Sequence, residues 1–227
     1  MLSINPVKRV FSVAAVLLVT ACAASTSPPQ ETHDGLVRIS SKKVDQVYQR
    51  PGARFDGYAQ YGLAPCEVAF RRNWMRDQNS DRMDLNNRVT QEDVDRIKDR
   101  LSADCDKYFR QALLASPAYP LTDQFDRGEN VLVLRPAIIN LDINAPDVRS
   151  TGMSRSYTTS AGEMTLVLEA VDGTTGDTIA RVVDRHRAMD TGHLTWTNAV
   201  TNKAEADRTL LRWADQLRSA LDELTRD

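Results

Sequence analysis

The sequence predicts an α+β fold, a two-layer α/β sandwich. A mixed sheet of about four to five strands, including a C-terminal hairpin, is expected to carry two amphipathic helices on one face. Three observations predict it. Two long stretches repeat apolar residues at spacings of three and four. A β-branched stretch is interrupted by Asp172-Gly173-Thr174-Thr175-Gly176-Asp177, whose glycines suit a hairpin turn. The elements follow in the order strand, helix, strands, hairpin, helix.

Cys66 to Trp74 alternates loosely and reads as the first strand. Residues 76–89 are polar and read as a loop. Thr90-Gln91-Glu92-Asp93 has the form of a capping box. Behind it Val94, Ile97, Leu101, Cys105, Phe109 and Leu113 form one helical stripe, which ends near Ala115 ahead of Pro117. Tyr119 to Phe125 reads as a short strand and Asn130 to Ile143 as a long one. Pro136 predicts an edge position or a bulge, because it has no N–H to give the ladder. Residues 145–162 read as a Ser/Thr/Gly-rich loop. Glu163 to Val171 and Thr178 to Arg187 form the hairpin, with Ile179, Val182 and Val183 supplying β-branched content. Asn202 to Leu224 is the second helix. Its apolar face is Leu210, Trp213, Leu217 and Leu221, and Asn202 with Glu205 is a candidate N-cap pair.

The N-terminus reads as an address. Lys8 and Arg9 precede the apolar run Val10 to Val19, which ends at Val19-Thr20-Ala21-Cys22. The run falls short of the roughly 20 residues that span a bilayer. The tetrapeptide is similar to the lipobox of a bacterial lipoprotein. Residues 1–21 are therefore expected to be a lipoprotein signal peptide, with Cys22 as the lipidated residue. Ala23 follows rather than an acidic residue, which favours the outer membrane. Residues 22–56 are expected to be the lipidated N-terminus and a flexible tether, rich in Ser and Pro at residues 25–29. Residues 57–227 are expected to form a single α/β domain.

The 227-residue chain has 29 basic and 31 acidic side chains. Loss of Lys8 and Arg9 with the signal would take its net charge from −2 to about −4. That balance speaks against nucleic-acid binding, which calls for a basic excess. Two further cysteines, Cys66 and Cys105, are a candidate disulfide in an oxidising compartment, with two buried free thiols as the alternative.

Three constellations are candidates for chemistry. Asp184, His186, Asp190 and His193 lie within ten residues, and alternation places 184 and 186 on one strand face, where a metal or small ligand could be held. The spacing matches no metal motif, and solvated polar groups are the favoured interpretation. Arg71, Arg72 and Trp74 form a basic-aromatic cluster that could meet an acidic partner or lipid headgroups. The serines of residues 150–160 lack the Gly-x-Ser-x-Gly turn of a hydrolase nucleophile. No catalytic motif and no cofactor are expected.

Several stretches together resemble a family of bacterial envelope lipoproteins defined by domain of unknown function 3313. They are Gly57-Tyr58-Ala59-Gln60-Tyr61-Gly62-Leu63, Phe109-Arg110-Gln111-Ala112-Leu113, Leu134-Arg135-Pro136-Ala137, the hairpin from Leu168 to Arg185, and Trp213-Ala214-Asp215-Gln216-Leu217-Arg218. The departure is Arg71-Arg72-Asn73-Trp74, where family members tend to end the first strand with Pro. The resemblance implies an envelope location and this fold, and no reaction. The expected function is a non-enzymatic binding or assembly accessory that contacts the membrane through its lipid and an envelope protein through its domain. The alternative is a metal- or small-ligand-binding protein, or an enzyme, using the Asp184–His193 cluster.

Overall fold

Val131–Ile143 (β6) is the strand around which the sheet is built. It pairs antiparallel with Gly162–Asp172 (β8), and β8 pairs antiparallel with Thr178–Arg187 (β9). The computed structural model describes residues 28, 30–80, 82, 88–125, 130–143, 156–158, 162–188, 195–197 and 199–225. Cys22, Asp190 and His193 lie outside them. Among the described residues no helix is long and apolar enough to cross a membrane.

Among the described residues the sheet has eight strands, more than the four to five expected. Val37–Ile39 (β1) and Gln46–Gln49 (β2) extend it beyond β9. On the other side of β6 run Gln60–Leu63 (β3) and Glu67–Phe70 (β4), both parallel to it, with Leu121–Thr122 (β5) beyond β3. Ordered structure therefore begins well before residue 57. β1 and β2 were legible only as tether because they are short and polar, yet Tyr48 of β2 is buried against the sheet. Ser156–Thr158 (β7) and Thr195–Thr197 (β10) pair as a separate antiparallel ribbon.

Pro136 occupies neither an edge nor a bulge. β3 pairs with β6 as far as Leu134, and β4 begins to pair at Ala137. The Leu134 carbonyl accepts from Ala64 on that side. Alternation points the Pro136 nitrogen the same way, into the gap between the two strands, so its missing N–H breaks no ladder pair with either strand. The register break in β6 falls later, around Asn140, whose φ is 51°.

The first strand ends at Phe70 rather than Trp74. Asn73 turns the chain at φ 63°, and Trp74–Ser80 (α1) is helical where a loop was expected. Gln91–Leu114 (α2) follows the expected bounds. Thr90 Oγ1 accepts from Asp93 N at 3.2 Å while Asp93 Oδ2 accepts from Thr90 N at 2.9 Å, which closes the capping box. Ala199–Leu224 (α3) starts ahead of Asn202, so Asn202 is inside the helix and is not its cap.

Both long helices cover one sheet face. Leu101, Phe109 and Leu113 of α2 and Leu210, Trp213 and Leu217 of α3 share one core with Leu134, Ile138, Leu166 and Leu168. In the hairpin turn, Gly176 has φ 77°, as a turn glycine should. Gly173 is needed for a different reason: a Cβ there would lie 2.9 Å from the Val131 carbonyl oxygen.

Candidate functional site

Even-numbered residues of β9 face the helices, so Asp184 and His186 do share a face, as expected. That face is covered by α3. Asp184 Oδ2 accepts from Trp213 Nε1 at 2.6 Å, and its Oδ1 accepts from Asp45 N at 3.2 Å. The ring of His186 meets Glu205 Oε1 at 2.9 Å through Nε2. The His186 hydrogen bond, with Arg208 nearby, holds the Glu205 carboxyl below its ordinary range against the opposing effect of burial. Asp184 and His186 thus join sheet to helix. Among the described residues no group of three or more His, Cys, Asp and Glu is placed to hold a metal ion.

Glu205 reads in the sequence as the partner of an N-cap. Its spatial partner, His186, is 19 residues away, and no local signal announces the contact.

The His186 end of the sheet opens into a cavity of about 740 Å³, bounded by the N-terminal halves of α2 and α3 and by the ends of β6, β8 and β9. Ile97, Leu101, Ile143, Met164 and Ala206 give it apolar walls. Charged groups ring it in pairs. Lys203 of α3 reaches Asp104 of α2 at 2.8 Å and Asp207 at 2.7 Å, and these two carboxylates push its ammonium pKa upward. Glu163 binds Arg185 and Arg187, and the Arg185 hydrogen bond foremost holds its carboxyl below the ordinary range. Arg100 lines the same cavity, exposed, and forms no ion pair among the described residues.

The basic-aromatic cluster does not assemble as a surface. Trp74 is 1 % exposed, stacks on Phe70 at 4.1 Å and donates from Nε1 to the Ile143 carbonyl at 3.2 Å. Arg71 is held between Asp77 and Asp142, each at 2.6 Å. Arg72 alone of the three is exposed.

Cys66 and Cys105 form a disulfide, with Cα atoms 6.2 Å apart, which ties the start of β4 to the middle of α2. Around it, Ser102 Oγ donates to the Cys66 carbonyl and Asp106 accepts from the Cys66 N–H.

The stretches that carry the resemblance have evident structural tasks. Tyr58 donates to Asp172 at 2.8 Å, fastening the start of β3 to the hairpin turn. Tyr61 packs edge-on against Tyr119 at 4.7 Å. Gly62 lies under Phe125, whose Cβ would be 2.6 Å from any Cβ at that position.

Fold and site define a disulfide-stapled α+β domain, with a mixed sheet covered on one face by two long helices. The chain belongs to the DUF3313 family of proteins of unknown function, whose sequence profile matches residues 32–217. No curated protein matches the sequence. Among solved structures it is similar to the PelC dodecamer from Paraburkholderia phytofirmans, at 8 % identity and a TM-score of 0.36, over 74 % of this chain and 94 % of that one. It is also similar to a neuraminyllactose-binding hemagglutinin homologue from Helicobacter pylori, at 10 % identity and a TM-score of 0.37, over 74 % of this chain and 88 % of that one. Likeness at this level transfers no role to any residue.

Proposed function

We propose that this protein is an outer-membrane lipoprotein, acylated on Cys22, whose domain faces the periplasm and acts as a non-enzymatic binding or assembly accessory for another envelope protein. The observation that carries the proposal is Val19-Thr20-Ala21-Cys22 at the end of an apolar run preceded by Lys8 and Arg9. The Cys66–Cys105 disulfide supports it, since such bonds persist mainly in oxidising compartments. Acyl chains on Cys22 would hold the protein to the bilayer at about 0.8 kcal/mol per buried methylene.

Metabolic labelling with a palmitate analogue, followed by fractionation, tests the anchor. The parent should be labelled and sediment with outer membrane; Cys22→Ser should be unlabelled and leave the membrane fraction. A Cys22→Ser protein that keeps its label and its membrane position would end the proposal. Crosslinking in intact cells should recover a discrete envelope partner. If His186→Gln with His193→Gln abolishes function while the fold is intact, the ligand-binding alternative replaces the accessory role.

A further inference from the structure

The cavity beside His186 combines an apolar interior with an asymmetric rim. Its volume of about 740 Å³ lies within the roughly 300–1,000 Å³ of small-molecule sites. Interiors normally close to the density of organic crystals, so a space this large beside the main core is not a packing remainder. The facing side chains that leave it open are small: Ala103 on α2, Ala204 and Ala206 on α3, Ala188 after β9.

The rim decides what chemistry fits. Each acidic side chain lining the cavity already has a cationic partner. Asp104 and Asp207 share Lys203, Asp142 binds Arg71, Glu163 binds two arginines, and Glu205 meets His186 and Arg208. Asp142 Oδ1 has no hydrogen-bond partner among the described residues, but it is buried, so a cationic head would find no carboxylate that is both exposed and without a cation. Arg96 is engaged by Asp93. That leaves Arg100, one turn from Arg96 on α2, as the lining cation with no ion-pair partner among the described residues.

We propose that this cavity binds a long-chain carboxylate of the fatty-acid class. The hydrocarbon lies over Ile97, Leu101 and Met164, and the carboxylate stays at the mouth on the Arg100 guanidinium. A planar guanidinium suits a carboxylate because two parallel N–H donors match its two oxygens. The inference rests on the cavity and its charges alone and is independent of the Cys22 anchor.

Photolabelling of the purified full chain tests it. A diazirine-bearing fatty acid is added below its micelle threshold, photolysed, and the labelled peptides are mapped. Labelling should saturate, fall on the peptides that carry Ile97 and Met164, and be displaced by unlabelled fatty acid but not by an alkylamine of equal length. Arg100→Glu is an exposed change that leaves the core untouched, and it should weaken binding about tenfold. Ala206→Phe fills the interior and should abolish the mapped labelling; circular dichroism checks that this variant folds, and Arg100→Glu decides if it does not. Diffuse or unsaturable labelling, labelling that Arg100→Glu leaves unchanged, or equal competition by the alkylamine overturns the proposal. Displacement by anionic phospholipid vesicles but not by free fatty acid would assign the site to a membrane headgroup and overturn it too.

Discussion

The indole of Trp213 donates its N–H to Asp184 Oδ2 at 2.6 Å, in the interior where α3 crosses β9. Trp213 is 1 % exposed and Asp184 7 %. The second oxygen of Asp184 accepts from Asp45 N, and Asp45 Oδ2 accepts from Arg185 N at 3.0 Å. One carboxylate thus joins helix, sheet and the segment leading into β2. Asp184→Ala would leave a buried indole N–H and a backbone N–H without acceptors, at a cost of about 2–4 kcal/mol. Asp184→Asn keeps an acceptor oxygen and should lose less. Urea unfolding measures both, and an Asp184→Ala midpoint equal to the parent's would show that the contact contributes nothing.

Arg218 closes the end of α2 from α3. Its guanidinium donates to the carbonyls of Ala112, Ala115 and Pro117 at 3.2, 2.9 and 2.6 Å. It also pairs with Asp222 at 2.9 Å and lies 4.6 Å from the Tyr119 ring centroid. The last carbonyls of a helix have no intrahelical donors, so one cation here meets both their hydrogen-bonding need and the negative end of the dipole. Arg218→Ala should destabilise by about 2–3 kcal/mol. Arg218→Lys should recover little, because an ammonium cannot reach several carbonyls in one plane. Full recovery in the lysine variant would mean that charge alone matters.

The Cys66–Cys105 disulfide closes a loop with a sequence separation of 39. On the chain-entropy account such a loop contributes about 4 kcal/mol by restricting the unfolded chain. Cys66→Ala with Cys105→Ala should lower the urea midpoint accordingly. The expectation fails if the double variant and the oxidised parent unfold together.

What the sequence made legible was local. α2 announces itself through its capping box and an apolar stripe, and the hairpin through a turn whose Asp172 accepts from the N–H groups of Thr174 and Thr175. Cys66 and Cys105 were legible as a pair, with pairing left open. The misplaced features depend on distant partners. β2 is a strand because β9 offers it an edge, and Trp74 is buried because Phe70 and Val94 pack around it. His186 and Asp184 could be seen to share a face. That α3 would occupy that face depends on how a helix some 20 residues later returns across the sheet. Arg100 carries no motif, Glu205 was legible only as a helix-start residue, and it is the fold that brings both to one cavity.

Stability should fall in acid, and the ion pairs say where. The Arg181 guanidinium holds the Asp34 carboxyl well below its ordinary 3.8. Arg185 also lowers the Glu163 carboxyl, and His186 lowers that of Glu205, both from an ordinary 4.5. A carboxyl with a lowered folded-state pKa stabilises the fold above its unfolded value, and that contribution disappears as pH falls through the folded one. The urea midpoint should therefore be level through the neutral range as far as these groups act, and decline as pH drops below about 4.5. Arg181 also binds Glu169 at 2.7 Å, so Arg181→Met strips both carboxylates of a partner. That variant should be less stable at neutral pH and lose less on acidification, because Asp34 would then titrate near its unfolded value. Parallel pH profiles for parent and Arg181→Met would show that Asp34 is not a source of the acid sensitivity.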